Sequence, residues 1–153
     1  MQTLTTITHI SHDDLVNLFS TALYGSNYLG AGYSYSEDLS DCQTLEDALA
    51  ASLIKGRKIR VTDYYADGVV YGEIEHEIDG DDVTYHITLD DVKKGIAKAA
   101  DGTFNSRMNE YADDEREFAR KAFDSFANES CDFDLTYAEC LMQIILFDEI
   151  IYG

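Results

Sequence analysis

Three features of the chain predict an α+β fold. Between Arg57 and Leu89, three strand-like runs, "RKIRVTDYY", "VVYGEIEHEI" and "VTYHITL", are separated by the turn signals "ADG" and "DGDD". On either side of them, apolar residues recur at helical spacing behind Ser or Thr residues placed as N-caps. No repeat, Pro-rich linker or low-complexity tract interrupts the 153 residues. One domain spanning 1–153 is therefore expected, with a three- to four-stranded antiparallel sheet packed with about four to five helices.

In order along the chain, "TLTTITHI" alternates apolar with polar residues and is Thr-rich, which predicts a short strand at a sheet edge. Ser11 with Asp14 has the spacing of a capping box and opens a helix through "LVNLFSTALY", with Leu15, Leu18, Phe19 and Leu23 on one face and Gly25 as its stop. "GSNYLGAGYSYSEDLSD" mixes aromatics and glycines without a regular period and reads as an ordered loop. Thr44 caps "LEDALAASLI", which ends at Gly56. The three strand-like runs follow as an antiparallel meander, with "VVYGEIEHEI" in the middle. Thr88 and Asp91 form a second capping-box pair, starting a helix "LDDVKKGIAKAA" that stops near Gly102. "MNEYADDEREFARKAFDSFA" reads as an amphipathic helix with Tyr111, Phe118, Ala122 and Phe126 on one side. A last helix, "TYAECLMQIILFDEIIY", starts at Thr136 with Glu139 in capping position. Its nearly all-apolar run "CLMQIILF" assigns it to the core.

Composition limits what such a domain does. At 45% hydrophobic residues, with seven Phe and eleven Tyr, the chain is too apolar for a disordered acidic tail. Met1 to Ile10 carries no Lys or Arg and no apolar run of signal-peptide length, and no stretch has the roughly 18 apolar residues of a membrane span. A soluble, cytoplasmic protein is expected. Cys42, Cys131 and Cys140 are odd in number and form no CxxC pair, which predicts buried free thiols rather than a disulfide framework.

The net charge of −19 and pI near 4.2 carry more information. Such a surface repels nucleic acid and anionic membrane and favours basic protein surfaces, including those that bind nucleic acid. Residues 1–54 hold seven acids and no Lys or Arg, as do residues 122–153, while residues 55–121 hold sixteen acids and all eleven bases. Within that middle stretch, "YGEIEHEIDGDD" places six carboxylates in ten positions. On a strand, Glu73, Glu75 and Glu77 share a face at a spacing of about 6.6 to 6.8 Å. A DNA strand carries a phosphate per roughly 3.4 Å of axis, so the row approximates a short run of phosphates. Asp79, Asp81 and Asp82 extend it around the turn. A solvated sheet face whose charges resist edge pairing would look the same in isolation. The coincidence with acidic chain ends and with Asp113, Asp114 and Glu117 of "DDERE" favours a partner-binding role, because like charge from several segments destabilises a fold. Halophilic adaptation also produces an acidic surface.

Other chemistries fit less well. An EF-hand frame from Glu75 places Glu77, Asp79 and Gly80 at the third, fifth and sixth positions but ends on His86 where Glu is required, with strands as flanks. His9, His12, His76 and His86 show no zinc-ligand spacing with the cysteines. "YGSNYLGAG" lacks the Lys-Ser/Thr end of a P-loop and the strand-to-helix setting of GxGxxG, and no GxSxG elbow occurs. No catalytic residue, metal or cofactor is expected.

Three segments also carry a resemblance: "ISHDDLVNLFSTALYGSNYLG", "VTYHITLDDVKKGIAKA" and "CDFDLTYAECLMQIILFDEIIYG", about 60 of the 153 residues. Together they resemble a family of small acidic proteins encoded by bacteriophages and prophages, mostly of unassigned function. In that family an N-terminal helix runs into Gly-x-Asn-Tyr-Trp, a Thr-Leu strand end leads into a Lys-Gly helix, and an apolar helix closes on Tyr-Gly. Gly25, Asn27 and Tyr28 match the first motif, Thr88, Leu89, Lys94 and Gly95 the second, and Tyr152 and Gly153 the third; Leu29 stands where the family has Trp. The resemblance implies a phage setting and no chemistry. By analogy with small acidic phage proteins of anti-CRISPR or anti-restriction type, it implies a non-enzymatic inhibitor that occupies a host protein's basic nucleic-acid-binding surface. The alternative expectation is a structural or regulatory phage protein that self-assembles, as a homodimer through its C-terminal helix, with the acidic face serving solubility.

Overall fold

The structure, a computed structural model, describes residues 7–34, 39–105 and 112–152. Strict alternation builds its sheet. In β2 (Ile59–Asp63) and β4 (Asp82–Ile87), Ile59, Val61, Asp63, Val83, Tyr85 and Ile87 are buried, while the residues between them face away from the core. β1 (Leu29–Tyr33) pairs with the free side of β2 and β3 (His76–Asp79) with the free side of β4, giving one antiparallel sheet in the order β1-β2-β4-β3.

Among the described residues there are five helices, α1 (His12–Tyr24), α2 (Leu45–Ile54), α3 (Leu89–Asp101), α4 (Ala112–Ala127) and α5 (Leu135–Phe147), with α1 and α2 packed on the strands and α4 packed on α3 and α5. α5 is the central element, packed against α1, α3 and α4, and every residue from Cys140 to Phe147 is buried. Both predicted capping boxes form, with Ser11 and Asp14 exchanging side-chain and backbone bonds at α1 and Thr88 and Asp91 doing so at α3. Thr44 caps α2, and Gly102 ends α3 at φ 68°.

Several expectations are corrected. The three strand-like runs do not form a meander, because β4 lies between β2 and β3 and the acidic strand is an edge rather than the middle. That strand is also short, with Glu73 and Glu75 in the irregular approach to it. The segment read as an ordered loop contains β1. Ile7 to Ile10, the described part of "TLTTITHI", is not a strand, and the rest of that run lies outside the described residues, as does Tyr111. α5 is capped by Asp134, whose Oδ1 accepts from Tyr137 N at 3.0 Å, and not by Thr136. Asp precedes Thr here by two positions and takes the first free amides. The helix then stops at Asp148 in the left-handed region (φ 57°), so "DEIIY" leaves it. Of the free cysteines, Cys140 is buried, Cys42 is half-buried and Cys131 is exposed.

Candidate functional site

The β3–β4 hairpin turns on Gly80 and Asp81, with φ positive only at Gly80 (64°), the pattern of a type II′ turn. This turn projects Asp79, Asp81 and Asp82 from the end of the sheet. The preceding loop folds against it, Gly68 N donating to Asp81 O at 2.9 Å, and brings Asp67 into the same acidic tip. Asp67 was not singled out from the sequence, where "ADG" gives only a turn signal, although its carboxylate was there to be counted.

The six carboxylates of residues 73–82 are not electrostatically equivalent. Glu75 is bonded to Lys58, and that hydrogen bond and the lysine charge hold its carboxyl below the usual range. Glu77 Oε1 lies 3.4 Å from His86 Nε2 on the neighbouring strand. Glu73, Asp79, Asp81 and Asp82 pair with no cation among the described residues. Lys58 and His86 were not assigned to the site by sequence reasoning, since they arrive from β2's approach and from β4, and only the register brings them to the row.

On α4, Asp113, Asp114 and Glu117 are all exposed. Asp113 meets Arg116 at 3.2 Å and Glu117 meets Lys121 at 3.5 Å. A groove of about 1210 Å³ relates this patch to the first, for Glu73 and Glu75 line it together with Arg116, α3 and the end of α5. Its lysines are already matched: Lys58 to Glu75, Lys94 to Asp90 at 3.0 Å and Lys98 to Asp148 at 3.0 Å. The groove's lysines are thus compensated, and the unmatched acidity lies at Glu73 on its wall and at the hairpin tip.

Elsewhere the polar groups serve the fold. Asp63, fully buried, accepts from Tyr152 Oη at 2.8 Å and Tyr65 N at 3.0 Å, while Gln143 Oε1 accepts from Ile151 N and Tyr152 N, both at 2.7 Å. These bonds fasten Ile151 and Tyr152, and the Tyr152 ring meets Tyr28 at a tilt and Tyr65 and Phe147 edge-on. Burial pushes the Cys140 thiol up to about 12, so it does not supply a thiolate nucleophile. His12 reaches Asp47 at 3.4 Å, and among the described residues no three His, Cys, Asp or Glu side chains are arranged to hold a metal ion. No described helix is long and apolar enough to cross a membrane. No protein-family model matches the chain, and neither a curated protein nor a solved structure does.

Proposed function

We propose that the chain is a non-enzymatic inhibitor that binds the basic nucleic-acid-binding surface of a host defence protein, its carboxylates standing in for phosphates. The supporting observation is the placement of six carboxylates within ten residues along the free edge and turn of the sheet, with Glu73, Asp79, Asp81 and Asp82 unmatched by any described cation. The pairs made by Glu75 and Glu77 are no obstacle. An incoming guanidinium that binds both oxygens of a carboxylate can displace the exposed Lys58 and the 3.4 Å His86 contact. Attraction between an acidic tip and a basic groove accelerates encounter and weakens with salt. A phage setting, as the sequence resemblance implies, fits a protein of this kind. The self-assembly alternative finds no comparable support, because the apolar helix it would use, α5, is buried in the chain's own core.

The test is capture from bacterial lysate on the immobilised chain at about 0.01 M salt, where screening is weak, followed by salt steps and by competition with duplex DNA. A nucleic-acid-binding protein should elute with salt, be displaced by DNA, and be lost from a variant carrying Glu73→Gln, Asp79→Asn, Asp81→Asn and Asp82→Asn. Retention that neither salt nor DNA weakens would overturn the proposal.

A further inference from the structure

β3 is an open edge. Each of its residues pairs only with β4, and among the described residues no backbone hydrogen bond reaches its other side. All four of its residues are exposed, Ile78 at 53%. The register identifies the backbone groups that point outward. His86 N donates to Glu75 O at 2.8 Å, and the two-residue turn closes between Asp79 and Asp82, so the odd-numbered residues exchange bonds with β4. The N–H and C=O of His76 and Ile78 therefore face the free side. On the pleat, Glu77 and Asp79 lie on the sheet face away from the helices, while His76 and Ile78 lie on the other.

We infer that β3 receives an extended segment of the partner as a fifth strand, one in which Lys or Arg alternates with an apolar residue. This rests on the reading of the acidic edge as a partner-binding surface and specifies what it binds. Backbone addition supplies affinity at His76 and Ile78, and alternate side chains supply selection. In an antiparallel addition Glu77 falls at a non-hydrogen-bonded pair, where opposed side chains approach most closely, and opposite charge there is favourable. Ile78 offers an apolar neighbour to the residue between the two cations. A second copy of the chain is a poor occupant: antiparallel self-pairing centred on Ile78 sets Glu77 against Asp79 twice, and parallel pairing in register sets each carboxylate against itself. The same charges that block self-pairing match a basic strand.

Ile78→Pro separates strand addition from plain charge attraction. The Ile78 N–H does not serve the β3–β4 ladder, and proline is tolerated on an edge strand where its N–H would face solvent. The variant keeps every carboxylate. The probe is a capped, fluorescent seven-residue peptide alternating lysine and valine, measured by anisotropy at low salt, with circular dichroism and melting used to check the fold. Wild-type protein should bind it and slow amide hydrogen exchange at His76 and Ile78. Ile78→Pro, or a probe N-methylated on alternate residues, should weaken binding about tenfold or more through lost backbone bonds. Should Ile78→Pro not fold, the N-methylated probe alone decides. Equal binding of the plain and N-methylated probes, or no binding of the plain probe, overturns strand addition. Charge docking stands or falls separately, on whether neutralising Glu73, Asp79, Asp81 and Asp82 abolishes lysate capture; capture lost on neutralisation but retained in Ile78→Pro would leave charge docking standing and overturn strand addition.

Discussion

Asp63 shows how one residue's burial couples stability to pH. Its carboxyl is raised above its usual value of 3.8, mainly by burial, opposed by the hydrogen bonds from Tyr152 and Tyr65 and reinforced by Asp82 and Asp67. The folded state therefore favours the neutral acid. Its contribution is fully present below 3.8 and is lost as pH rises through the elevated folded value. Asp63→Asn, similar in shape and without a charge, should gain stability relative to the wild type as pH rises between about 4 and 8, and urea unfolding across that range reads the difference directly. A gap that stays constant or shrinks with pH would show that Asp63 is not the coupled group. The residue was legible as an anomaly. Alternation along "RKIRVTDYY" places it on the face of Ile59 and Val61, and a carboxylate on an apolar face needs partners. Its partner Tyr152 lies 89 residues away and could not be read from local pattern.

At the level of elements, the contact between α3 and α5 depends on Gly95. A Cβ there would lie 2.4 Å from Ile145 Cγ1 and 2.6 Å from Ile145 Cα, and the second of these is backbone that cannot rotate aside. Alanine gains about 1 kcal/mol of helix propensity over glycine, while overpacking costs typically 1–3 kcal/mol and more against backbone. The clash should win, so Gly95→Ala is expected to lower stability by about 1–2 kcal/mol, or roughly 2–8 °C in Tm for a chain of this size. A stabilised variant would mean that the helices do not approach this closely. Elements set by neighbours in sequence were legible, as at Ser11 with Asp14 and Thr88 with Asp91, because a cap is decided within four residues. Elements set by distant partners were not. β1 was hidden by its glycines, whose reason lies elsewhere: a Cβ at Gly30 would lie 2.8 Å from the Tyr64 ring, and one at Gly32 would lie 3.1 Å from the Arg60 guanidinium. The order β2-β4-β3 likewise depends on pairing that hydrophobic alternation does not specify, since either neighbour of a hairpin satisfies the same period.

For the whole molecule, the carboxylate row was legible as composition, while its division into matched and unmatched charges was not, because Lys58 and His86 reach it only through the sheet. What the fold adds is that a net charge of −19 is carried on one small domain whose described lysine and arginine ion pairs at the site are exposed and weak. Such a surface repels itself, and salt relieves that repulsion as the screening length falls from about 30 Å at 0.01 M to about 8 Å at 0.15 M. Thermal stability should therefore rise with salt over this range, while partner capture falls. The variant neutralised at Glu73, Asp79, Asp81 and Asp82 should melt higher than the wild type at low salt and lose the partner. These opposite signs distinguish two origins of acidity. A surface acidic only for life at high salt would share the gain in stability but have no salt-sensitive partner to lose. Acidity retained for binding couples the two: the substitutions that most relieve self-repulsion are those that remove the contact. If neutralisation at the hairpin tip leaves both melting and capture unchanged, the binding surface lies elsewhere, and the exposed carboxylates of α4 become the next to neutralise.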